Sequence, residues 1–112
     1  MRLKNRAFET FNDGALTVCT TSERSIIGVR QESLRFGDKT VGVNRFFQAQ
    51  IASSQIDRLV AVPWADVRQN DLIVIGGVQY RIVKIQDKFD AMPPCRYLSL
   101  EESKVRYKDG RN

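Results

Sequence analysis

Apolar and polar residues alternate most clearly between Asp71 and Ile85, where two β-branched runs flank Gly76-Gly77. A Gly-Gly pair readily adopts the positive φ angles that a two-residue hairpin turn requires. This turn sets a register in which Ile73 lies opposite Tyr80 and one face of the hairpin is apolar. We expect that face to be buried, and its members are Ile73, Ile75, Val78, Tyr80 and Ile82.

The opposite face of this hairpin is mixed, with Val74 across from Gln79 and Leu72 across from Arg81. We expect partial cover on this side and an exposed Gln79. The alternation changes phase at Ile82-Val83, which predicts a bulge or a bend in the strand. Because an isolated hairpin is only marginally stable in water, further strands must cover its apolar face.

Several other segments have the alternation and the β-branched composition of strands, namely residues 15–21, 25–30, 31–36, 40–43, 57–62 and 97–100. Turn signals separate them at Asn12-Asp13-Gly14, at residues 21–24 and at Gly37-Asp38-Lys39. Residues 44–55 predict the end of a strand followed by a short helix.

Two loops are predicted, over residues 64–70 and 86–96, the second stiffened by Met92-Pro93-Pro94. With 112 residues, the chain is long enough for one modest core. These elements predict a single, mainly β domain: a small antiparallel β-barrel or sandwich with at most one short helix. We expect an ordered core over about residues 14–102, with residues 1–13 and 103–112 as flexible, extended arms.

The net charge of +5 favours partners with negative surfaces, such as nucleic acid, an acidic protein or anionic lipid. Solubility alone is the other explanation for this charge. The first residues lack the apolar stretch of a signal peptide, and no apolar run approaches membrane-spanning length. The sequence therefore predicts a protein of a cytoplasm-like compartment.

The chain contains no histidine, which removes the commonest general base and the usual metal ligand. Its two cysteines, Cys19 and Cys95, lack the clustered spacing of a zinc site and are too few for a disulfide scaffold. We expect two reduced thiols. We also expect no enzymatic activity, no catalytic residues, no metal and no cofactor.

Two terminal groups of basic residues are candidates for facing DNA or an acidic partner: Arg2, Lys4 and Arg6 at one end, and Lys104 and Lys108 at the other. The alternative is that both groups are solvated tails. Aromatic residues such as Phe46, Phe47 and Tyr80 are candidates either for stacking bases or for the core.

A family resemblance rests on four stretches and on their order along the chain: Gly42-Val-Asn-Arg-Phe-Phe-Gln-Ala-Gln50, Arg58-Leu-Val-Ala-Val-Pro63, Ile75-Gly-Gly-Val-Gln-Tyr-Arg-Ile82 and Leu98-Ser-Leu100. Together, over roughly residues 34–102, they resemble the head–tail joining proteins of tailed phages and prophages, also called head-closure, stopper or adaptor proteins. The amino-terminal segment and residues 64–70 depart from that family's pattern. The resemblance therefore does not decide which ring of the head–tail connector this chain would form: the adaptor, the stopper or the tail-completion ring.

The resemblance implies a small β-barrel that forms a homo-oligomeric ring below the portal and joins a DNA-filled head to a tail. Its implied partners are portal or adaptor proteins, tail proteins and DNA passing through the channel without sequence-specific binding, with no membrane. Its implied place is the virion, after assembly in the bacterial host cytoplasm. The alternatives are a stand-alone nucleic-acid-binding barrel and a tail-completion or terminator ring.

Candidate contacts between subunits or partners lie in the second loop and the carboxy-terminal segment: Phe89, Met92, Pro93, Arg106 and Tyr107. The apolar members of the loop are suited to anchoring in a neighbouring subunit. The alternative is that this loop packs on its own domain.

Overall fold

The structure, a computed structural model, describes residues 7–8, 10–39 and 56–110. Nine strands lie in these residues: β1 Ala7–Phe8, β2 Gly14–Ser22, β3 Ser25–Lys39, β4 Arg58–Pro63, β5 Leu72–Ile75, β6 Val78–Lys88, β7 Ala91–Met92, β8 Cys95–Glu102 and β9 Lys108–Asp109. The predicted mainly β class is confirmed. The strand predicted over residues 40–43 and the short helix predicted after it lie outside the described residues.

Six strands pair in the closed order β2-β5-β6-β8-β4-β3, and β3 returns to pair with β2. Every neighbouring pair in this ring of strands is antiparallel. The ring encloses the main core, whose buried members are Leu16, Val18, Phe36, Val60, Val62, Val67, Ile73, Tyr80, Ile82, Leu98 and Leu100. Within the described part of the chain, no helix is long and apolar enough to cross a membrane.

The β5–β6 hairpin has the predicted register, with Ile73 paired to Tyr80 around Gly76-Gly77. Both glycines have positive φ, 58° and 82°, as the turn requires. The register of β6 shifts between Ile82 and Lys84, which confirms the predicted bulge. The predicted burial of Val78 is wrong, because this residue adjoins the turn at the end of the ring and is 37% exposed.

The predicted exposure of Gln79 is also wrong, because only 7% of this residue is accessible. The outer face of the hairpin is covered by residues 103–110, whose backbone Gln79 contacts directly. The sequence therefore identified one buried face of the hairpin, whereas both faces are covered.

Strand β3 is a single strand where two strands and a turn were predicted, because residues 37–39 are its last three residues and pair with β4. Ser33 absorbs an irregularity within the strand by taking a positive φ of 56°. A Cβ on Gly37 would collide with the carbonyl oxygen of Thr10. Gly37 therefore permits a close approach of two backbones, and this explains why a glycine lies within a strand.

The predicted loop over residues 86–96 is too long, because β6 continues to Lys88 and β8 begins at Cys95. Lys88 and Cys95 are directly paired across these strands. The polar residues of 86–88 lie on a half-exposed part of β6, so their polarity does not end the strand. Only residues 89–94 remain as a connection, and they include the short strand β7.

The predicted loop over residues 64–70 is confirmed, and it closes one end of the ring by placing Val67 in the core. Asp71, at the end of this loop, has a buried carboxylate that accepts from Arg30 Nε at 2.7 Å and from Arg30 Nη2 at 3.0 Å. The hydrogen bond to Asp71 raises the pKa of the Arg30 guanidinium above its ordinary value. The Gln69 amide donates to the carbonyl oxygen of Ile82 at 2.7 Å, beside the bulge.

Candidate protein-binding surfaces

The first candidate surface is a group of exposed apolar side chains at the end of the ring that residues 64–70 close. Trp64 is 48% exposed, Phe89 71% and Met92 39%. The rings of Trp64 and Phe89 contact each other, with centroids 5.1 Å apart. We call Trp64, Phe89 and Met92 the aromatic tip. Grouped exposed apolar residues mark interaction sites more often than single ones do.

Arg96, on β8, holds the aromatic tip in place. Its Nη1 donates to the carbonyl oxygens of Ala65 and Val67, at 3.0 and 3.1 Å. Its Nε donates to Asp87 Oδ1 at 2.9 Å, and its guanidinium carbon lies 4.9 Å from the centroid of the Trp64 ring. The backbone that carries Trp64 is thus tied to two strands of the ring. This order lowers the entropy that a partner must remove on binding.

The amino-terminal backbone borders the aromatic tip. Strand β1 pairs in parallel with β7, Ala7 beside Ala91 and Phe8 beside Met92. Ala91 is the buried residue of the loop, whereas Phe89, Met92 and Pro93 point to the exposed side. The tip is therefore a surface built from two loops and bordered by an added strand.

The second candidate surface lies on the outer side of the ring, where residues 103–110 run back over β2, β3, β5 and β6. We call these residues the C-terminal strap. The Tyr107 amide donates to Gln79 Oε1 at 2.7 Å, and Gln79 Nε2 donates to the Tyr107 carbonyl oxygen at 3.0 Å. The strap also begins with a backbone bond, from the Ser103 amide to the Gln79 carbonyl oxygen at 2.9 Å.

Tyr107 packs on a second apolar cluster, formed by Cys19, Ile26 and Leu72 together with Val74. We call this outer surface, with Gln79, the strap groove. Tyr107 was expected to contact a partner, and it lies half-buried against its own domain. The described residues of the strap therefore have internal contacts, contrary to the expectation that they extend away from the domain.

The end of the strap pairs with the outer edge of β3. Lys108 donates its amide to the Arg24 carbonyl oxygen at 3.2 Å, and Gly110 donates to that of Ile26 at 2.8 Å. Strand β9 is parallel to β3, with Lys108 beside Ser25. A Cβ added to Gly110 would lie 3.3 Å from the Ser25 Cβ, so the two chains are in close contact there.

The predicted basic residues are only partly brought together. Lys104 and Lys108 are exposed on the strap, and Arg106 is exposed while donating Nη1 to the Gly77 carbonyl oxygen at 3.3 Å. The positions of Arg2, Lys4 and Arg6 lie outside the described residues. Two further cations, which the sequence did not single out, flank another aromatic ring: the Nζ atoms of Lys39 and Lys88 each lie 5.6 Å from the centroid of the Tyr97 ring.

Three aromatic residues were considered either for stacking on bases or for the core. Tyr80 is buried in the core, and Phe46 and Phe47 lie outside the described residues. Cys19 and Cys95 are both buried. Among the residues that the structure describes, no three His, Cys, Asp or Glu side chains are grouped so that they would hold a metal ion.

Trp64 and Arg96 were missed by the sequence analysis. Trp64 is the single tryptophan of the chain and follows Pro63, but its loop had no family counterpart. No local pattern links it to Phe89 or Arg96, because those contacts form between distant parts of the chain. No protein-family model matches the chain, and comparisons with curated proteins and with solved structures likewise found no match.

Proposed function

We propose that the protein is a structural connector of a tailed phage, forming a ring between the portal of a DNA-filled head and the tail. It acts through contacts with neighbouring subunits and partner rings, without catalysis. The observation that carries this proposal is the aromatic tip, in which Trp64 is partly exposed and yet held by Arg96, and the exposed Phe89 contacts the Trp64 ring. The sequence resemblance to head–tail joining proteins supports the same function.

The chemistry of the aromatic tip suits a protein interface. Aromatic residues and arginine are enriched among the residues that contribute most to binding between proteins. A ring uses a heterologous interface, in which one surface of each subunit meets a different surface of the next. An ordered apolar surface on one end of a closed β scaffold is well suited to be one half of such an interface. The net charge of +5 is compatible with a channel through which DNA passes.

A stand-alone nucleic-acid-binding protein is the second candidate. The observation in its favour is that cations flank two aromatic rings, Arg96 at the partly exposed Trp64, and Lys39 and Lys88 at the half-buried Tyr97. Aromatic platforms beside basic residues bind single-stranded nucleic acid through stacking and phosphate contacts. Such binding weakens steeply as the salt concentration rises.

The test is to supply variants to a phage that lacks this gene and to count infectious particles. A Trp64→Ala/Phe89→Ser variant should lose about 1–2 kcal/mol of stability, because Trp64 is about half-buried, stay folded at the temperature of the assay and fail to restore infectious particles. Ile27→Ser is the matched control, because Ile27 is 55% exposed and does not belong to the aromatic tip. The control should restore them.

Normal infectivity of the Trp64→Ala/Phe89→Ser variant would contradict the proposal. The second candidate is tested in parallel by titrating the purified protein with single-stranded DNA at low and high salt. Salt-sensitive binding that this variant loses would favour the nucleic-acid-binding function.

A further inference from the structure

We propose that one outer face of the β scaffold binds the phosphate backbone of double-stranded DNA. Its cations are Lys39, Lys84 and Lys88, which lie around Tyr97, and we call these four residues the lysine face. The inference rests on the proposed function, because it names the surface of each subunit that meets the DNA passing through the connector.

A bulge in β6 places two of these lysines on the outer surface. Side chains two or four residues apart in a regular strand share a face, so Lys84 and Lys88 would otherwise follow Ile82 into the core. The register shift between Ile82 and Lys84 reverses this phase. Beyond the shift, Ile85 pairs with the buried Leu98 and packs against the core. Lys84 and Lys88 therefore point outwards, as bulges commonly re-aim side chains.

Lys39 and Tyr97 lie on the same outer face, as the register of the neighbouring strands shows. Tyr97 on β8 pairs with Gln86, which lies between the two lysines of β6. Lys39 on β3 pairs with Leu59 on β4, and Leu59 pairs in turn with Ser99 on β8. Because Ser99 and Tyr97 are two residues apart, Lys39 belongs to their face. Four strands thus contribute to one surface.

The Tyr97 ring holds two ammonium groups at one place. The Nζ atoms of Lys39 and Lys88 each lie 5.6 Å from its centroid. An aromatic ring attracts cations, so it keeps two like charges close together despite their repulsion. All four residues of the lysine face are partly exposed. Positive charge concentrated in this way attracts anionic partners.

The acidic residues beside the lysine face are paired with arginines. Two of them directly precede a lysine, and the third lies on the same face of β8. The pairs are Asp38 with Arg58, Asp87 with Arg96, and Glu101 with Arg81. These carboxylates therefore offset the charges of the arginines and not those of the lysines.

The surface around the strap groove has a different distribution of charge. Exposed cations and exposed carboxylates are mixed there: Arg24, Lys104, Arg106 and Lys108 with Glu32, Glu102 and Asp109. Opposite charges in such a mixture largely cancel at the distance of a large partner. A polyanion is therefore attracted to the lysine face more strongly than to the strap groove.

The chemistry of lysine suits DNA that moves past the protein. Duplex DNA carries a negative charge about every 1.7 Å along its axis. A lysine presents a point charge on a flexible stem, without the fixed fork with which arginine reads bases. Contacts of this kind are independent of sequence and let a protein slide along DNA. The lysine face therefore fits the duplex backbone without fixing its position.

The experiment titrates the purified full-length protein with a fluorescently labelled DNA duplex of mixed sequence at several salt concentrations. Lys39→Gln/Lys84→Gln/Lys88→Gln should weaken binding at least about tenfold at low salt. It should also reduce the slope of log K against log salt by about 2–3, because each phosphate contact contributes about 0.9. Lys39→Arg/Lys84→Arg/Lys88→Arg keeps the charge and should bind like wild type.

The matched control is Arg24→Gln/Lys104→Gln/Lys108→Gln, which removes the same charge from exposed residues around the strap groove. It should keep most of the affinity and the salt slope. Equal losses in the two glutamine variants, or wild-type protein that does not bind the duplex at low salt, would overturn the inference. Should the first variant unfold, Lys88→Gln alone decides: its slope should fall by about 0.9, and a wild-type slope would overturn the inference.

These results are distinguishable from a failure of the proposed function. The Trp64→Ala/Phe89→Ser variant keeps all three lysines and should bind the duplex like wild type. If it also restores infectious particles, the proposed function fails, and the titration still decides whether the lysine face binds DNA. The lysine-to-glutamine variant should join heads yet lower the number of infectious particles. Normal numbers would show that this face does not meet the DNA in the connector.

Discussion

The aromatic tip and the strap groove contain the same kind of contact, but they expose their aromatic residues differently. In both, a long polar side chain binds the backbone beside an aromatic residue: Arg96 binds the carbonyls of Ala65 and Val67 next to Trp64, and Gln79 binds both main-chain groups of Tyr107. At the tip, Trp64 stays partly exposed against Phe89, whereas in the groove the aromatic ring turns onto the sheet.

This difference separates stability from recognition. An aromatic ring that packs on its own domain contributes to the free energy of unfolding, since its apolar surface leaves water on folding. An exposed ring contributes little to folding but is available to a partner. Substitutions in the strap groove should therefore change stability first, and substitutions of the exposed rings should change assembly first.

The largest effect on stability is expected at the support of the aromatic tip. Arg96→Leu removes the donors to two loop carbonyls and to Asp87, and hydrogen bonds to charged groups contribute about 1.5–3 kcal/mol. We expect a loss in this range by chemical denaturation. Arg68→Leu is the matched control, because its guanidinium is 66% exposed and meets Asp66 at 3.5 Å. A loss as large for Arg68→Leu would refute the supporting role of Arg96.

The second-largest effect on stability is expected for Gln79→Ala. It should lower the free energy of unfolding by about 1–2 kcal/mol, because two hydrogen bonds of about 0.5–1.5 kcal/mol each are lost. An exposed Gln79 would have implied a loss below about 0.5 kcal/mol. Gln79→Glu keeps an acceptor for the Tyr107 amide but has no donor for its carbonyl, so an intermediate loss is expected. Denaturation midpoints equal to wild type for both variants would show that Gln79 does not hold the strap.

Tyr107→Ala should cost about 1 kcal/mol, roughly half of what a fully buried aromatic side chain contributes, because Tyr107 is half-buried. Tyr107→Phe keeps the apolar ring and should be close to wild type. Val105→Ala, at an exposed strap position, is the control for loss of a side chain that lies outside the cluster. Equal losses for Tyr107→Ala and Val105→Ala would mean that the ring does not anchor the strap.

The smallest effect on stability is expected at the exposed end of the aromatic tip. Phe89→Ser and Met92→Ser should each change the free energy of unfolding by less than about 0.5 kcal/mol, as surface substitutions usually do. Both should nevertheless weaken assembly. A large drop in the melting temperature of either variant would place these side chains among the residues that stabilise the fold.

The β5–β6 hairpin was predictable because its information is local. Gly76-Gly77 specifies the turn, and alternation on either side specifies the register that pairs Ile73 with Tyr80. The phase change after Ile82 likewise marked a bulge that the structure contains. Where neighbouring residues decide the structure, a single sequence is sufficient.

The strap was not predictable, because its polar residues look like a tail until Gln79 is known to bind the Tyr107 backbone, 28 residues away. Gly37 was misread for the same kind of reason, since its role depends on the backbone of Thr10. The aromatic tip was half predictable. Phe89 and Met92 were identified as apolar residues in the loop between β6 and β8. The contact of Arg96 with the Trp64 ring joins distant parts of the chain, so no local pattern could predict it.

The central claim is that the aromatic tip joins the protein to a phage connector. The most direct measurement is co-sedimentation of the purified protein with DNA-filled, tail-less heads. The account predicts that wild type and Ile27→Ser sediment with the heads in one constant number of copies per head, and that Trp64→Ala/Phe89→Ser stays in the supernatant. Wild-type protein that does not bind heads, or a tip variant that binds as well as wild type, would contradict it.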